Sequence, residues 1–332
     1  MKEQKGILVI GEFEEGKLSS LTRELLGGAK KLGDEANEEI SLLLIGENAA
    51  PLAQQGISSG ADKVYIANSA LLNEYCPELI TSLISKLCAE TRPVMCLMGQ
   101  TDFGRDTAPG VAARLGSGLC MDCIDVKFDA EKESFVQTRP VYGGKALAVM
   151  SSAKGAIQIN TIRAKSMEPL LPQEGKVGEV VTISDCGDPK TAGAKRTAFS
   201  KLDETGVRLE DAKVIVAGGG GLGGPEGFKL IKELADLLKG SVGATRVPVD
   251  EDWVPLSMEI GQTGKIVGPD LYIAVGISGA AQHVTGCINS KTIISINKDP
   301  DANIFKISDF GLVADYKVAL PVLIEKLKAA GM

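Results

Sequence analysis

The sequence contains no cluster of basic residues and no long apolar segment, and each absence excludes a class of protein. A nucleic-acid binder needs lysine and arginine gathered on one face to neutralise phosphates, whereas this chain of 332 residues carries a formal net charge of −7. The apolar stretch near the N-terminus, Gly6 to Phe13, is too short for a signal peptide or a membrane span. We therefore expect a cytoplasmic protein that neither binds nucleic acid nor inserts stably into a membrane.

Histidine is nearly absent, because His283 is the only one, and the seven cysteines are scattered along the chain. Cys120 and Cys123 form a CxxC pair, but a structural zinc site takes four ligands, and His283 is more than a hundred residues away in sequence. An odd number of cysteines without a secretion signal predicts reduced thiols. We therefore predict no metal site and interpret the CxxC pair as two ordinary half-buried thiols, with a redox or metal role as the alternative.

The chain is long enough for two domains, since a single hydrophobic core stops growing near ~250 residues. Hydrophobic residues make up 44% of the sequence and charged residues 24%, which is the balance of a folded globular protein. The stretch from Asp185 to about Ala212 is polar and rich in small residues, which favours a linker. We predict a first domain over residues 1–184, a linker over 185–212 and a second domain over 213–332.

Short β-rich runs alternate with helical patterns in both halves, which is typical of parallel α/β units. Between the runs, apolar residues recur at the three- and four-residue spacing of amphipathic helices. The clearest predicted strands are GILVIGEF, ISLLLIG, DKVYIA, RPVMCLMG, KVIVAGGGG, LYIAVGIS and TIISINKDP, and the last predicted helix runs from about Tyr316 to Ala329. The predicted fold class is α/β with two domains, an N-terminal parallel-sheet domain and a C-terminal doubly wound domain.

The strongest local pattern is AGGGGLGGPEGF, between the predicted strand Lys213 to Ala217 and a predicted helix. Glycines let backbone amides approach a ligand closely, and a helix N-terminus adds partial positive charge, so a cofactor with a diphosphate is indicated. Gly218, Gly220 and Gly223 also satisfy GxGxxG, the dinucleotide fingerprint, although a run this rich in glycine satisfies many spacings. A tight strand-to-helix turn without a ligand is the alternative interpretation.

Several segments, in order along nearly the whole chain, carry a resemblance to a known family. DFGRDTAP and TRPVYGGKAL lie in the first half, and GATRVPVD, GQTGK, YIAVGISGAAQH, INKDP and LVADY lie in the second. They closely resemble segments of electron-transfer flavoprotein α-subunits. The resemblance implies a C-terminal domain that binds FAD, an N-terminal domain that packs against a homologous β-subunit, and movement of the FAD domain on its linker.

The resemblance also implies which residues contact the cofactor. Those expected at the flavin ring and its ribityl chain are Thr245, Arg246, Gly261, Gln262, Thr263, Ser278, Gly279, Ala280, Ala281, Gln282 and His283. Those expected at the diphosphate and the adenosine are Gly220, Gly221, Asn297, Asp315 and Tyr316. Arg246, Thr263 and His283 are the three expected to tune the redox chemistry.

These three side chains also have a physical reason for the implied role. A guanidinium near the ring stabilises the reduced, anionic flavin, so Arg246 is expected to raise the reduction potential. The Thr263 hydroxyl can donate a hydrogen bond to flavin N5, and the His283 ring can donate one to the C2 carbonyl, where charge accumulates. Without the resemblance, a surface arginine and a structural histidine with satisfied nitrogens are the ordinary interpretations.

Two positions depart from the family pattern. Relatives often carry a basic residue where this chain has Gly220, and an arginine where it has Gly110. At the position of Gly220, a charge that would help to neutralise the cofactor diphosphate is therefore missing. The backbone amides of Gly219 to Gly221 and the dipole of the following helix are the expected substitutes.

The predicted function is that of a FAD-bearing electron carrier in a heterodimer with a β-subunit. It would move electrons between a partner dehydrogenase, such as an acyl-CoA dehydrogenase of fatty acid β-oxidation, and an acceptor, without converting a substrate of its own. A flavin-bifurcating version that oxidises NADH is the related alternative. An NAD-dependent dehydrogenase with His283 as the proton relay is supported only by GxGxxG, and a scaffold without a cofactor is the remaining interpretation.

Overall fold

Two parallel β-sheets organise the chain, one in each of the units formed by residues 1–199 and 200–332. The computed structural model describes residues 4–69, 72, 75–142, 144, 146–152, 155–185, 197–198 and 208–331. Most of the predicted linker, residues 185–212, lies outside these ranges. Its role as a linker and the domain limits drawn from it therefore stay predictions.

The first unit contains twelve strands and four α-helices among its described residues. The strands are β1 (Ile7–Gly11), β2 (Phe13–Glu14), β3 (Lys17–Leu18), β4 (Ile40–Ile45), β5 (Lys63–Ala67), β6 (Met95–Gly99), β7 (Leu119–Cys123), β8 (Asp125–Asp129), β9 (Ser134–Val141), β10 (Ala146–Ser151), β11 (Gln158–Ile162) and β12 (Glu179–Ile183). The helices are α1 (Ser20–Ala36), α2 (Ala53–Ser58), α3 (Pro77–Thr91) and α4 (Asp102–Leu115).

Seven of these strands form a parallel sheet in the order β12-β5-β4-β1-β6-β11-β7. Strand β1 shows why the sheet is covered on both sides, because every one of its residues is buried. Its residues Ile7 and Val9 belong to the core that includes Leu25 of α1. Leu8 and Ile10 point the other way, into the core of α3 and α4. The predicted parallel α/β unit is confirmed.

Strands β8, β9 and β10 form a separate antiparallel sheet. Strands β9 and β10 both overlap the segment VQTRPVYGGKALAVM, and they pair in antiparallel register from Val141 opposite Ala146 onwards. Strand β10 lies at the edge, and its large apolar side chains Leu147 and Val149 are 59% and 68% exposed. The sheet therefore presents an uncovered apolar strand.

Helix α4 has no counterpart in the sequence pattern, because Gly104, Pro109 and Gly110 are poor helix residues. Its position depends on close packing instead. A Cβ at Gly104 would lie 1.9 Å from the carbonyl oxygen of Gly99 in β6, and one at Gly110 would lie 2.8 Å from Thr81 in α3. The glycines that lower helix propensity are thus the residues that let α4 approach its neighbours.

The second unit is a five-stranded parallel sheet in the order β14-β13-β15-β16-β17, so the predicted doubly wound domain is confirmed. Its strands are β13 (Val214–Gly218), β14 (Ser241–Ala244), β15 (Leu271–Val275), β16 (Ile293–Asn297) and β17 (Phe310–Val313). Its helices are α5 (Gly227–Leu237), α6 (Arg246–Asp250), α7 (Ala281–Cys287) and α8 (Tyr316–Ala329). Among the described residues of both units, no helix is long and apolar enough to cross a membrane.

Candidate functional site

The carboxyl edge of the second sheet holds a crevice between the loops that follow β13 and β15. The chain leaves β13 for β14 on one side of it and then returns to β15 on the other side. Connections that diverge in this way open a gap at the carboxyl ends of the two central strands, where doubly wound sheets bind ligands. The glycine-rich segment follows β13, and the SGAAQH segment follows β15.

The two loops touch each other through glycine backbone. The amides of Gly219 and Gly221 donate hydrogen bonds, both of 2.9 Å, to the carbonyls of Val275 and Gly276. A Cβ at Gly219 or Gly221 would lie 2.4 or 2.6 Å from the carbonyl oxygen of Gly276, so no other residue fits. These two amides were expected to bind the cofactor diphosphate in place of a missing basic side chain. In the structure they donate to backbone carbonyls of the same domain instead.

A cleft of about 190 Å³ opens beside this contact. Its lining comes from the carboxyl-end regions of four strands and the start of α8, namely Gly221, Leu222, Gly223, Gly276, Ile296, Asn297, Lys298, Ala314, Asp315, Tyr316 and Lys317. The cleft brings together four predicted residues, Gly221, Asn297, Asp315 and Tyr316. It also contains two cations that were not among the predicted contacts, namely Lys298 within INKDP and Lys317 directly after LVADY.

Three of the predicted cleft residues hold the site in shape. Asn297 donates from Nδ2 to the Ile277 carbonyl at 2.8 Å. The Asp315 carboxylate accepts a hydrogen bond of 2.9 Å from the amide of Lys317 and so caps α8. The Tyr316 hydroxyl donates to the Leu222 carbonyl at 2.8 Å and ties α8 to the glycine loop.

Thr245 and Arg246 lie at the same edge of the sheet, directly after β14. The Arg246 side chain is 65% exposed, and its Nε lies 3.1 Å from the carboxylate of Asp250. The guanidinium is therefore accessible to a ligand, and it already has a carboxylate partner that reduces its field.

The GQTG loop and the SGAAQH segment are joined through backbone. The Gln262 amide donates to the Gln282 carbonyl at 2.8 Å, and Gly261 leaves room for that carbonyl. The Thr263 hydroxyl donates to Oε1 of the buried Glu259 at 2.6 Å. The loop of Gln262 and the segment of Gln282 therefore lie next to each other, and the Thr263 hydroxyl is bound to a carboxylate that lies outside the quoted motifs.

His283 is buried, and both of its ring nitrogens have protein partners. Nδ1 lies 2.8 Å from the Ile260 carbonyl, which can only accept, so this nitrogen carries the proton. Nε2 then accepts from the Tyr272 hydroxyl at 3.0 Å. Burial lowers the pKa of His283 from 6.5 to about 4, so the ring is neutral at pH 7. Donation to a flavin carbonyl would require one of these bonds to be exchanged, and it stays a prediction.

Comparison with known proteins decides the family. A family model described as electron transfer flavoprotein domain matches residues 7–187, and one described as electron transfer flavoprotein FAD-binding domain matches residues 208–288. An electron transfer flavoprotein subunit alpha from Thermoanaerobacterium thermosaccharolyticum is 42% identical over 99% of both chains. The chain belongs to the electron transfer flavoprotein α-subunits. The predicted family is confirmed.

A second electron transfer flavoprotein subunit alpha and a protein with a different name are similarly close. The subunit from Megasphaera elsdenii is 41% identical and covers 99% of this chain and 98% of its own length. Protein FixB from Clostridium saccharobutylicum is 37% identical and covers 98% of this chain and 97% of its own length. Flavin binding is therefore a property of the second unit, where the FAD-binding family model and the crevice coincide.

Proposed function

We propose that this α-subunit holds FAD in the crevice between the β13 and β15 loops and carries electrons between dehydrogenases and an acceptor as a heterodimer with a β-subunit. The supporting observation is the crevice itself, where Lys298 and Lys317 line a cleft at the switch point of the sheet. FAD, when bound, supplies one- and two-electron redox chemistry. The chain's own residues bind it, orient it and set its potential, and they convert no substrate.

The cleft residues fit the diphosphate and adenosine end of the cofactor. A Cβ at Gly223 would meet nothing within 4 Å, so the backbone there is open to a ligand. Lys298 and Lys317 supply the positive charge that relatives often place at the position of Gly220. A volume of about 190 Å³ holds only part of FAD, so the flavin end would extend along the exposed loops that carry Arg246 and Gln262.

We assign contact with the β-subunit to the uncovered face of β10. Leu147 and Val149 of this strand are 59% and 68% exposed, and Tyr142, directly after β9, is 84% exposed. Adjacent large apolar side chains on an edge strand are typical of a protein–protein contact. This face belongs to the first unit, and the crevice belongs to the second unit.

An absorption spectrum of the chain co-expressed with its β-subunit tests the carrier function. We expect a yellow complex whose flavin is reduced stepwise by a dehydrogenase with its substrate. A colourless, fully folded complex would contradict the proposal. Counting flavins per heterodimer and adding NADH separates a simple carrier from a bifurcating complex, since only the latter has a second FAD that NADH reduces.

Removing the positive charges of Lys298 and Lys317 is expected to weaken FAD binding at least tenfold. Each lysine within reach of the diphosphate is worth roughly 1 kcal/mol, so Lys298→Gln with Lys317→Gln raises the dissociation constant. The control is Lys326→Gln with Lys328→Gln, which removes the same charge from the far end of α8. Equal affinities of the two double variants, measured by fluorescence titration with FAD, would contradict the assignment.

Replacing Arg246 with alanine is expected to lower the flavin midpoint potential by about 40 mV. A buried guanidinium would contribute more, but this one is exposed and faces Asp250, so we expect about 1 kcal/mol per electron. Asp250→Asn should shift the potential the opposite way, since it removes the opposing charge. A potentiometric titration that gives one midpoint for all three proteins would place Arg246 away from the ring.

A further inference from the structure

The CxxC pair lies at a β-bulge in β7. Cys120 pairs with Asn160 of β11 and Cys123 with Ile162, so two residues of β7 lie opposite one residue of β11. In a regular strand, residues three apart point to opposite faces. The extra residue brings Cys120 and Cys123 onto one face, and both side chains belong to the same core cluster.

The bulge also shortens the distance between the two cysteines. Their partners Asn160 and Ile162 are two residues apart on a strand, a span of ~6.6 Å, whereas three residues of a regular strand would span ~10 Å. Since the cysteines are in register with these partners, their Cα atoms are separated by about the shorter distance. A disulfide accepts Cα separations of up to ~6.8 Å.

Specific contacts hold the bulge in place. Asp122 has a φ of 61°, in the left-handed region that few residues adopt. Nε and one terminal nitrogen of the buried Arg163 donate to its two carboxylate oxygens at 2.8 and 2.6 Å. The backbone amide of Asp122 donates a hydrogen bond of 2.9 Å to the Thr161 hydroxyl. The geometry that pairs the cysteines is therefore built by their neighbours.

The two thiols differ in access and acidity. Cys120 is 5% exposed and its sulfur lies 3.8 Å from Met150 on the uncovered strand β10, whereas Cys123 is fully buried. The Cys123 thiol and the Arg139 guanidinium lower the pKa of Cys120 to about 7, against burial, and the same pairing raises the pKa of Cys123. Cys120 is therefore the more acidic and the less buried of the two thiols.

We propose that Cys120 and Cys123 are a redox modification site, a dithiol that hydrogen peroxide converts to an intrachain disulfide. The Cys120 thiolate attacks a peroxide oxygen, which releases hydroxide and leaves a sulfenic acid on Cys120. Cys123 then attacks that sulfur, the S–O bond breaks, and the oxygen leaves as water once protonated. The two thiols lose two electrons and two protons, and one peroxide becomes two waters.

The chain contains its own control for this reaction. Cys88 and Cys96 are also neighbouring thiols, but both are fully buried, and the hydrogen bond with Cys88 together with burial raises the pKa of Cys96. Tryptic peptide 115–127 contains both cysteines of the bulge, and peptide 87–105, which has Pro93 after Arg92, contains both control cysteines. A disulfide in either peptide removes the mass of two hydrogens.

The experiment treats the full-length folded protein, reduced and freed of reductant, with a small excess of hydrogen peroxide. Remaining thiols are alkylated after unfolding, and the two peptides are followed by mass spectrometry. We expect peptide 115–127 to lose two hydrogens at least ten times faster than peptide 87–105, and dithiothreitol to reverse the change. Equal rates for the two peptides, or oxidation only after unfolding, would overturn the proposal.

Two serine variants test the order of the steps. In Cys123→Ser the Cys120 sulfenic acid cannot be resolved, so dimedone should label peptide 115–127. In Cys120→Ser the remaining thiol is buried and protonated, so the same peptide should stay unlabelled. Labelling of the Cys120→Ser protein but not of Cys123→Ser would show that the attack begins at the other sulfur and would overturn the assigned roles.

Discussion

Alanine at position 279 is expected to destabilise the second unit by about 2–5 kcal/mol. Gly279 has a φ of 82°, which costs an alanine roughly 1–2 kcal/mol. Its Cβ would also lie 2.2 Å from the backbone nitrogen of Ile304 and 2.6 Å from the Cα of that residue. Backbone atoms cannot rotate away, so the loop has to move, and such overpacking adds about 1–3 kcal/mol.

Gly223→Ala is the matched control for this prediction. Gly223 has a similar φ of 74°, but a Cβ there would meet no atom within 4 Å. Gly223→Ala therefore loses only the free energy of the unfavourable backbone conformation. The difference in the free energy of unfolding between the two variants measures the effect of the clash at Gly279. Urea unfolding followed by the fluorescence of Trp253, the only tryptophan and a residue of the second unit, gives both values. Equal losses would show that the loop at Gly279 has room for a side chain.

Acid is expected to weaken the second unit through His283, by up to about 3 kcal/mol between pH 6.5 and pH 4. The folded-state pKa is lowered from 6.5 to about 4, because the buried ring cannot hold a charge. Above pH 6.5 the ring is neutral in both states and makes no difference to stability. Below that pH the unfolded chain binds a proton that the folded chain excludes, so stability falls until the pH reaches the folded pKa.

Comparison with His283→Gln isolates this contribution from the titration of carboxylates. Glutamine is neutral at every pH, so the variant should be less stable than the wild type at pH 7 and should lose less stability on acidification. The measurement is urea unfolding at intervals between pH 7 and pH 4, again with Trp253 fluorescence. An identical pH dependence in both proteins would show that His283 is accessible to protons in the folded state.

The strands and the long amphipathic helices could be predicted because each one repeats a local pattern. ISLLLIG and LYIAVGIS are mostly apolar, as expected for strands buried on both faces, and they contain β4 and β15. The last helix has its predicted limits, Tyr316 and Ala329. Helix α4 could not be predicted, because its glycines and Pro109 are unfavourable locally and are compensated by packing against β6 and α3.

The candidate site was predicted in part, for the same reason. Gly221, Asn297, Asp315 and Tyr316 do line one cleft, since motif residues at the ends of neighbouring parallel strands meet at one edge of a sheet. The glycine-rich motif does not reveal that the amides of Gly219 and Gly221 donate hydrogen bonds to backbone carbonyls. Those acceptors are the last residue of β15 and the residue after it, more than fifty residues further along the chain.

The sequence alone determined the α/β alternation, the parallel sheets and the family, because apolar periodicity and ordered motifs are properties of neighbouring residues. Only the tertiary structure decided which groups remain available for chemistry. It gives His283 two internal partners, places Lys298 and Lys317 in the cleft, and turns Cys120 towards Cys123 through a bulge. Proton positions, burial and thiol pairing depend on contacts between distant segments, and no local pattern encodes those contacts.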